Sequence, residues 1–159
     1  MYDFEYVRPH TLQGAVNALA HEDAQAIAGG QTLVPTLKAR LARPSQLVDL
    51  TAIPEMRGIE VTDSEVRIAG GTRHAEVEHS PEVQRVFPAL ADLASRIGDP
   101  QVRNRGTIGG SVANNDPAAC YPAAVLGTGA TVVTDKREIA ADDFFDGMFT
   151  TALEEGEIV

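Results

Sequence analysis

A mixed α and β fold in two small lobes is what the sequence predicts. Strand-like and helix-like runs alternate through the first fifty residues, paired strand runs take over near Ile59, and glycine pairs punctuate both halves. The 159 residues suit one domain, or two lobes sharing a cleft. The lobes are expected to span 1–55 and 56–159.

In the first lobe, "DFEYVRP" alternates as a strand does. "TLQGAVNALAHE" places Leu12, Ala15, Val16 and Leu19 on one helical face, with Thr11 as N-cap. "AQAIAGG" reads as a buried strand, "TLVPTLKARLARP" as a helix stopped by Pro44, and "SQLVDL" as a third strand, completing a βαβαβ unit. In the second, "IEVTDSEVRIAGG" is a hairpin turning at Asp63 and Ser64. "PEVQRVFPALADLASRIG" is a long helix kinked or split by Pro88, followed by a loop, "DPQVRNRG". A short helix is expected in "DPAACYPAAVLGTG", a hairpin in "ATVVTDKREIA", a turn or short helix in "DDFFDGMF", and in "TTALEEGEIV" a strand cut short at Val159.

Composition narrows the function. Thirteen basic against 23 acidic residues leave a net charge of −10, which repels nucleic acid and anionic membrane alike. Neither a membrane-length apolar run nor a signal-peptide pattern occurs, so the expected location is the cytoplasm. Cys120 is the single cysteine, which rules out a disulfide frame, a four-thiolate zinc site and an internal iron–sulfur cluster.

The chemistry-bearing pattern is a repeated corner, "AIAGGQTLVP" from Ala26 and "RGTIGGSVANNDP" from Arg105. Glycine pairs at a strand end accept positive φ and let a ligand approach the amide nitrogens, and a following helix adds unpaired N–H groups. Two such loops fit a clamp on one pyrophosphate; the plain alternative for either is a tight turn. Gln31 and Thr32 flank the first pair, and Thr107, Ser111, Asn114, Asn115 and Asp116 the second, all small hydrogen-bonding types. Neither loop has the P-loop or Rossmann spacing. The third pair, Gly70 and Gly71 in "IAGGTR", reads as a turn alone.

At these residues the chain resembles the flavin subunits of molybdenum hydroxylases, the xanthine dehydrogenase and carbon monoxide dehydrogenase type. "AGGQTLVPTLKARLARPSQLVDL" and "GDPQVRNRGTIGGSVANNDPAACYPAAVLGTGATV" look like the two signature segments of that family. The resemblance implies an α+β, two-lobed FAD-binding domain of the vanillyl-alcohol-oxidase (PCMH) type holding FAD noncovalently, with a further C-terminal domain in full-length subunits. It implies partner chains in a hetero-oligomer: a large subunit with the molybdenum cofactor and a small subunit with 2Fe–2S clusters. Electrons would pass from those clusters to FAD and on to an acceptor such as NAD or oxygen. By position, Ala28, Gly29, Gly30, Gln31, Thr32 and Leu33 look like the first pyrophosphate loop. Thr107, Ile108, Gly109, Gly110 and Ser111 look like the second, with Asn114 as a polar flavin contact. Ile158 and Val159 match an apolar strand bordering the adenine. Cys120 stands where relatives carry an aspartate that bonds FAD hydroxyls, with Asp116 nearby to compensate. No catalytic residue and no metal ligand is expected, because a flavin carries its own chemistry.

Other features read more plainly. His74, Glu76, Glu78 and His79 lie together, but the Pro-Cys-x-x-Cys of zinc deaminases is missing, and both histidines are expected at the surface. Arg103 and Arg105 either offset phosphate charge or pair with acidic neighbours. Cys120 is expected to be a packed helix residue. Two other functions remain compatible with the residues: a stand-alone flavin oxidase, and an assembly subunit without flavin.

Overall fold

The computed structural model describes residues 1–159 as an α+β arrangement of small sheets and short helices. Its first sheet contains β1 (Glu5–Val7), β2 (Ala24–Ile27) and β3 (Gln46–Asp49) in the order β1-β3-β2, all parallel, with α1 (Leu12–Leu19) and α2 (Leu33–Lys38) in the crossovers. Thr11 caps α1 by accepting from the Gly14 amide at 3.1 Å. β3 is buried along its whole length because strands flank it on both sides. β2 is an edge strand with Gln25 and Ala26 exposed, not the buried strand its apolar run predicts.

α2 also departs from expectation, stopping at Lys38 and not at Pro44. Arg40 takes the left-handed conformation at φ 59°, the Leu41 amide reaches back to the Thr36 carbonyl at 3.0 Å, and the Arg40 amide bonds Leu37. That paired closure ends a helix most often with glycine, and here an arginine adopts it.

Two 3-10 turns, Leu50–Ala52 and Pro54–Met56, lead to the antiparallel hairpin of β4 (Ile59–Val61) and β5 (Val66–Ile68). Helices α3 (His74–His79), α4 (Pro81–Val86) and α5 (Pro88–Ser95) follow, so Pro88 does divide the long apolar segment. The expected loop after it holds α6 (Pro100–Arg103), started by Asp99, whose carboxylate accepts from the Val102 amide at 2.8 Å with proline in the first turn. Next come α7 (Ile108–Asn114), α8 (Cys120–Gly127), the hairpin of β6 (Thr131–Val133) and β7 (Glu138–Ala140), α9 (Ala141–Phe144), and a small hairpin of β8 (Phe145–Gly147) and β9 (Thr150–Thr151). Strand structure ends at Thr151, so Ile158 and Val159 are not in a strand.

Apolar burial gathers in two clusters. One joins Val77, Val83, Leu90, Ala94, Val112, Tyr121 and Phe144 from α3, α4, α5, α7, α8 and α9. The other combines Ala15, Leu19, Val48, Leu50, Ile53 and Met56 with Ile158, so Ile158 closes the core of the first fifty-six residues, while Val159 packs against the larger cluster. No helix is long and apolar enough to cross a membrane.

Phe144 is fully buried at the turn from α9 into β8. Phe144→Ala should therefore lose about 3–5 kcal/mol. The expected reading is a lower urea midpoint at an unchanged m-value.

Candidate functional site

The polypeptide leaves the carboxyl end of β2 through Ala28 to Thr32, at the end of a parallel sheet where ligands commonly bind. Gly30 has φ 69°, which glycine takes without strain, and the Gly30 carbonyl accepts from the Val34 amide at 3.0 Å. The amides of Gly29, Gly30, Gln31 and Thr32 donate to no group of the chain. The hydroxyl of Thr32 makes no capping bond, and the Gln31 carboxamide bonds the Gly29 carbonyl at 3.1 Å. Four successive free amides form a donor set suited to an anion.

This loop packs against the second glycine segment. A Cβ on Gly29 would collide with the carbonyl of Arg105, and it would lie 2.7 Å from the Gly106 Cα. Corners about eighty residues apart are thus in backbone contact. The third corner joins them: the Gly109 amide donates to the Gly70 carbonyl at 2.8 Å, and a Cβ on Gly109 would be 2.7 Å from the Gly70 Cα. Gly70 in turn lies against the Val159 carbonyl, while the Gly71 amide bonds Met56 at 2.7 Å. Gly70 and Gly71 do form a turn, closed by the Thr72 amide on Ala69 at 2.9 Å, yet their bareness serves the junction as well.

Two further bonds stitch the segments, from the His74 amide to Gly106 and from the Ile108 amide to Thr72, both at 3.0 Å. Thr107 caps α7 by accepting from the Gly110 amide at 3.2 Å, and the Ser111 amide bonds the Thr107 carbonyl. The amides at the start of α7 are therefore occupied within the chain. What the second loop leaves free are the side chains of Ser111 and Asn114 and the bare, exposed face of Gly110. Ala28, Leu33 and Ile108 are half-buried and apolar, with Ile108 packed on the larger cluster. Asp116 accepts from the Ala118 amide at 2.9 Å, which forms the turn into α8.

Two expectations change here, and one left open is decided. His74 is 5 % exposed and not at the surface, because its ring packs on Gly106 and lies 5.3 Å from the Tyr121 ring. Cys120 is exposed as the first residue of α8, where a side chain precedes the packed turn. Arg103 pairs with Glu78 at 2.8 Å and donates to the Ile97 carbonyl, so the ion-pair reading holds for it, whereas Arg105 is exposed and forms no ion pair. Two surface depressions, of about 350 and 470 Å³, lie by α3 to α5 and beside the β4–β5 hairpin, away from the glycine junction.

Asn115 carries a role that its pattern does not announce. It caps α7 in the left-handed conformation at φ 44°, and its carboxamide donates to Gly147 at 2.6 Å and Thr150 at 2.9 Å, pinning the β8–β9 hairpin to the helix of the second loop. Asn-Asn after a small-residue helix is compatible with such a cap. Its tertiary partners are not visible locally.

Free main-chain donors at a glycine junction are of the kind that accept an anionic group such as a phosphate. Residues 2–159 match the family model described as the FAD binding domain in molybdopterin dehydrogenase. The medium chain of carbon monoxide dehydrogenase from Hydrogenophaga pseudoflava is 42% identical over 98% of this chain and 56% of its own length. The nicotine 6-hydroxylase medium subunit of Paenarthrobacter nicotinovorans is 38% identical over 97% of this chain and 56% of its own. Among solved structures, the Hydrogenophaga pseudoflava enzyme superposes with a TM-score of 0.95 at 42% identity over 99% of this chain and 57% of that one. Quinoline 2-oxidoreductase from Pseudomonas putida 86 gives 0.95 at 36% identity, with the same coverage of both chains. The chain belongs to the family of FAD-binding domains of molybdopterin dehydrogenases, a class of oxidoreductase subunits. It spans a little over half the length of these relatives.

Burial pushes the His74 imidazole down to about 4 from its ordinary 6.5. The unfolded chain then binds the extra proton more readily, so His74 contributes stability that is complete above pH 6.5 and lost as pH falls towards 4. Melting temperature should decline across that window, and His74→Gln should flatten the decline. Separately, Gly29→Ala should lower the melting temperature by forcing the first loop off Arg105, whereas Gly127→Ala, with nothing near its Cβ, should not.

Proposed function

We propose that this chain binds FAD noncovalently between two lobes, residues 1–55 and 56–159, of vanillyl-alcohol-oxidase (PCMH) type. It would act as the electron-transfer flavin module of a molybdenum hydroxylase. The observation that carries this is the row of four unpaired amides, Gly29 to Thr32, set against the second glycine segment in a chain of net charge −10. An acidic protein repels a diphosphate at long range and must hold it with local dipoles, which those amides supply without a lysine.

The residues present fit the cofactor. The amides of Gly29 to Thr32 would bind the pyrophosphate, with the Thr32 hydroxyl and the unpaired Arg105 guanidinium as further donors. Gly110 would let the other side of the cofactor approach the backbone, and Ser111 and Asn114 would bond its polar edges. Ile158 and Val159 would border the adenine. Asp116 and Cys120 would stand beside the hydroxyls, where a thiol is the weaker partner. Bound FAD supplies the capacity to accept two electrons and release them to a different acceptor. The protein contributes binding, orientation and exclusion of water.

Partner chains complete the reading. Two of the relatives are medium chains or subunits by name, and one cysteine cannot ligate a cluster. We infer a large subunit with the molybdenum cofactor and a small subunit with 2Fe–2S clusters, delivering electrons to this FAD and from it to NAD, oxygen or another acceptor.

Gel filtration after incubation with FAD, with flavin absorbance followed under the protein peak, tests the assignment. FAD should comigrate with the chain, and it should be lost from Gly30→Val and Gly110→Leu variants that keep the parent far-UV spectrum. A parent chain that never retains flavin, alone or with its partners, would leave the assembly-subunit function standing instead. Cys120→Asp should tighten FAD by about 0.5–1.5 kcal/mol, the worth of one restored hydrogen bond, read by fluorescence titration.

A further inference from the structure

The turn between β6 and β7, residues 134–137, bonds to the segment 152–158 with each of its four residues. The Thr134 hydroxyl donates to Glu157 at 2.6 Å. Asp135 exchanges two bonds with Ile158: its amide donates to the Ile158 carbonyl at 2.9 Å, and its carboxylate accepts from the Ile158 amide at 2.6 Å. Lys136 pairs with Glu154 at 3.0 Å. Arg137 grips Glu157 through two nitrogens, at 3.1 and 3.0 Å, and donates to the Ala152 carbonyl at 2.7 Å. The Glu157 side chain is fully buried and also accepts from the Glu154 amide at 2.8 Å.

A hairpin turn needs none of this to reverse direction. What the bonds fix is the path of residues 154–159, which have no strand partner of their own. At the end of that path Ile158 closes the cluster of the first fifty-six residues, and the Val159 carbonyl lies against Gly70, itself in contact with Gly109. The ionic turn thus sets one wall of the glycine junction from outside it.

We propose that residues 134–137 form a latch holding Ile158 and Val159 as the adenine-side wall of the cofactor cleft, with Asp135 as a positioning residue for the nucleotide half of FAD. This rests on the reading above that the segment borders the adenine. Asp135 itself belongs to neither apolar cluster, so its loss acts through the positions of Ile158, a member of the smaller cluster, and Val159.

The test uses the 159-residue chain, with FAD affinity from fluorescence titration and the affinity of ADP, a probe of the nucleotide half alone, from its displacement of FAD. Asp135→Ala should weaken ADP and FAD by the same factor, about tenfold, the scale of one charge-assisted hydrogen bond. Asp135→Asn, which keeps an acceptor oxygen, should restore most of the affinity. The absorption bands of bound flavin should keep their shape in both variants. Unchanged ADP affinity in Asp135→Ala, or a loss of FAD affinity without one of ADP, overturns the latch. Should Asp135→Ala not fold, Arg137→Lys, which keeps the charge but not the two-pronged grip, replaces it, with weakened ADP expected and unaltered ADP overturning the proposal. A parent chain that binds neither FAD nor ADP, alone or with its partners, overturns the functional reading itself. A binding parent with an unaffected variant overturns only the latch.

Discussion

Backbone meeting backbone without a side chain between is the constraint on which this structure depends. Gly29 lies on the Arg105 carbonyl and Gly70 on both Gly109 and Val159, so four segments far apart in sequence approach at distances that no Cβ allows. The contact also makes the stitching bonds possible, among them the 2.8 Å bond from Gly109 to Gly70. Larger residues at these points would separate the corners and leave several buried backbone groups unpaired, a cost that compounds the clash.

The arrangement around the junction distributes the donors unevenly. Amides at the start of α7 are satisfied inside the chain, by Gly70, Thr72 and Thr107, while those of the first loop are not. The second loop is thus satisfied internally, and the first is the one whose amides stay open. Asn115 ties the β8–β9 hairpin to α7, and the residue 134–137 turn ties down the irregular segment that carries Ile158, each through side-chain hydrogen bonds.

Much of the local structure could be read from residue order. Thr11 at the head of α1, Pro88 between α4 and α5 and the two hairpins follow from capping, proline sterics and alternation, all decided within a few residues. The glycine loops stood out as candidates because their flanks carry small polar side chains. Asp99 followed by Pro100 marks a helix start, a capping carboxylate with proline in the first turn, inside a segment expected to be a loop. The end of α2 was harder to read, since an arginine occupies the left-handed position usually given to glycine.

Residue order by itself carries the elements, their periods and the two bare corners with their hydrogen-bonding flanks, because each depends on sterics and bonding between near neighbours. The folded chain decides the rest: that Gly70 joins the junction, that His74 is buried on Gly106 while Cys120 is exposed, and that Ile158 closes the core of the first fifty-six residues. Those facts depend on which distant surfaces meet. No local pattern encodes a contact whose partner is eighty residues away.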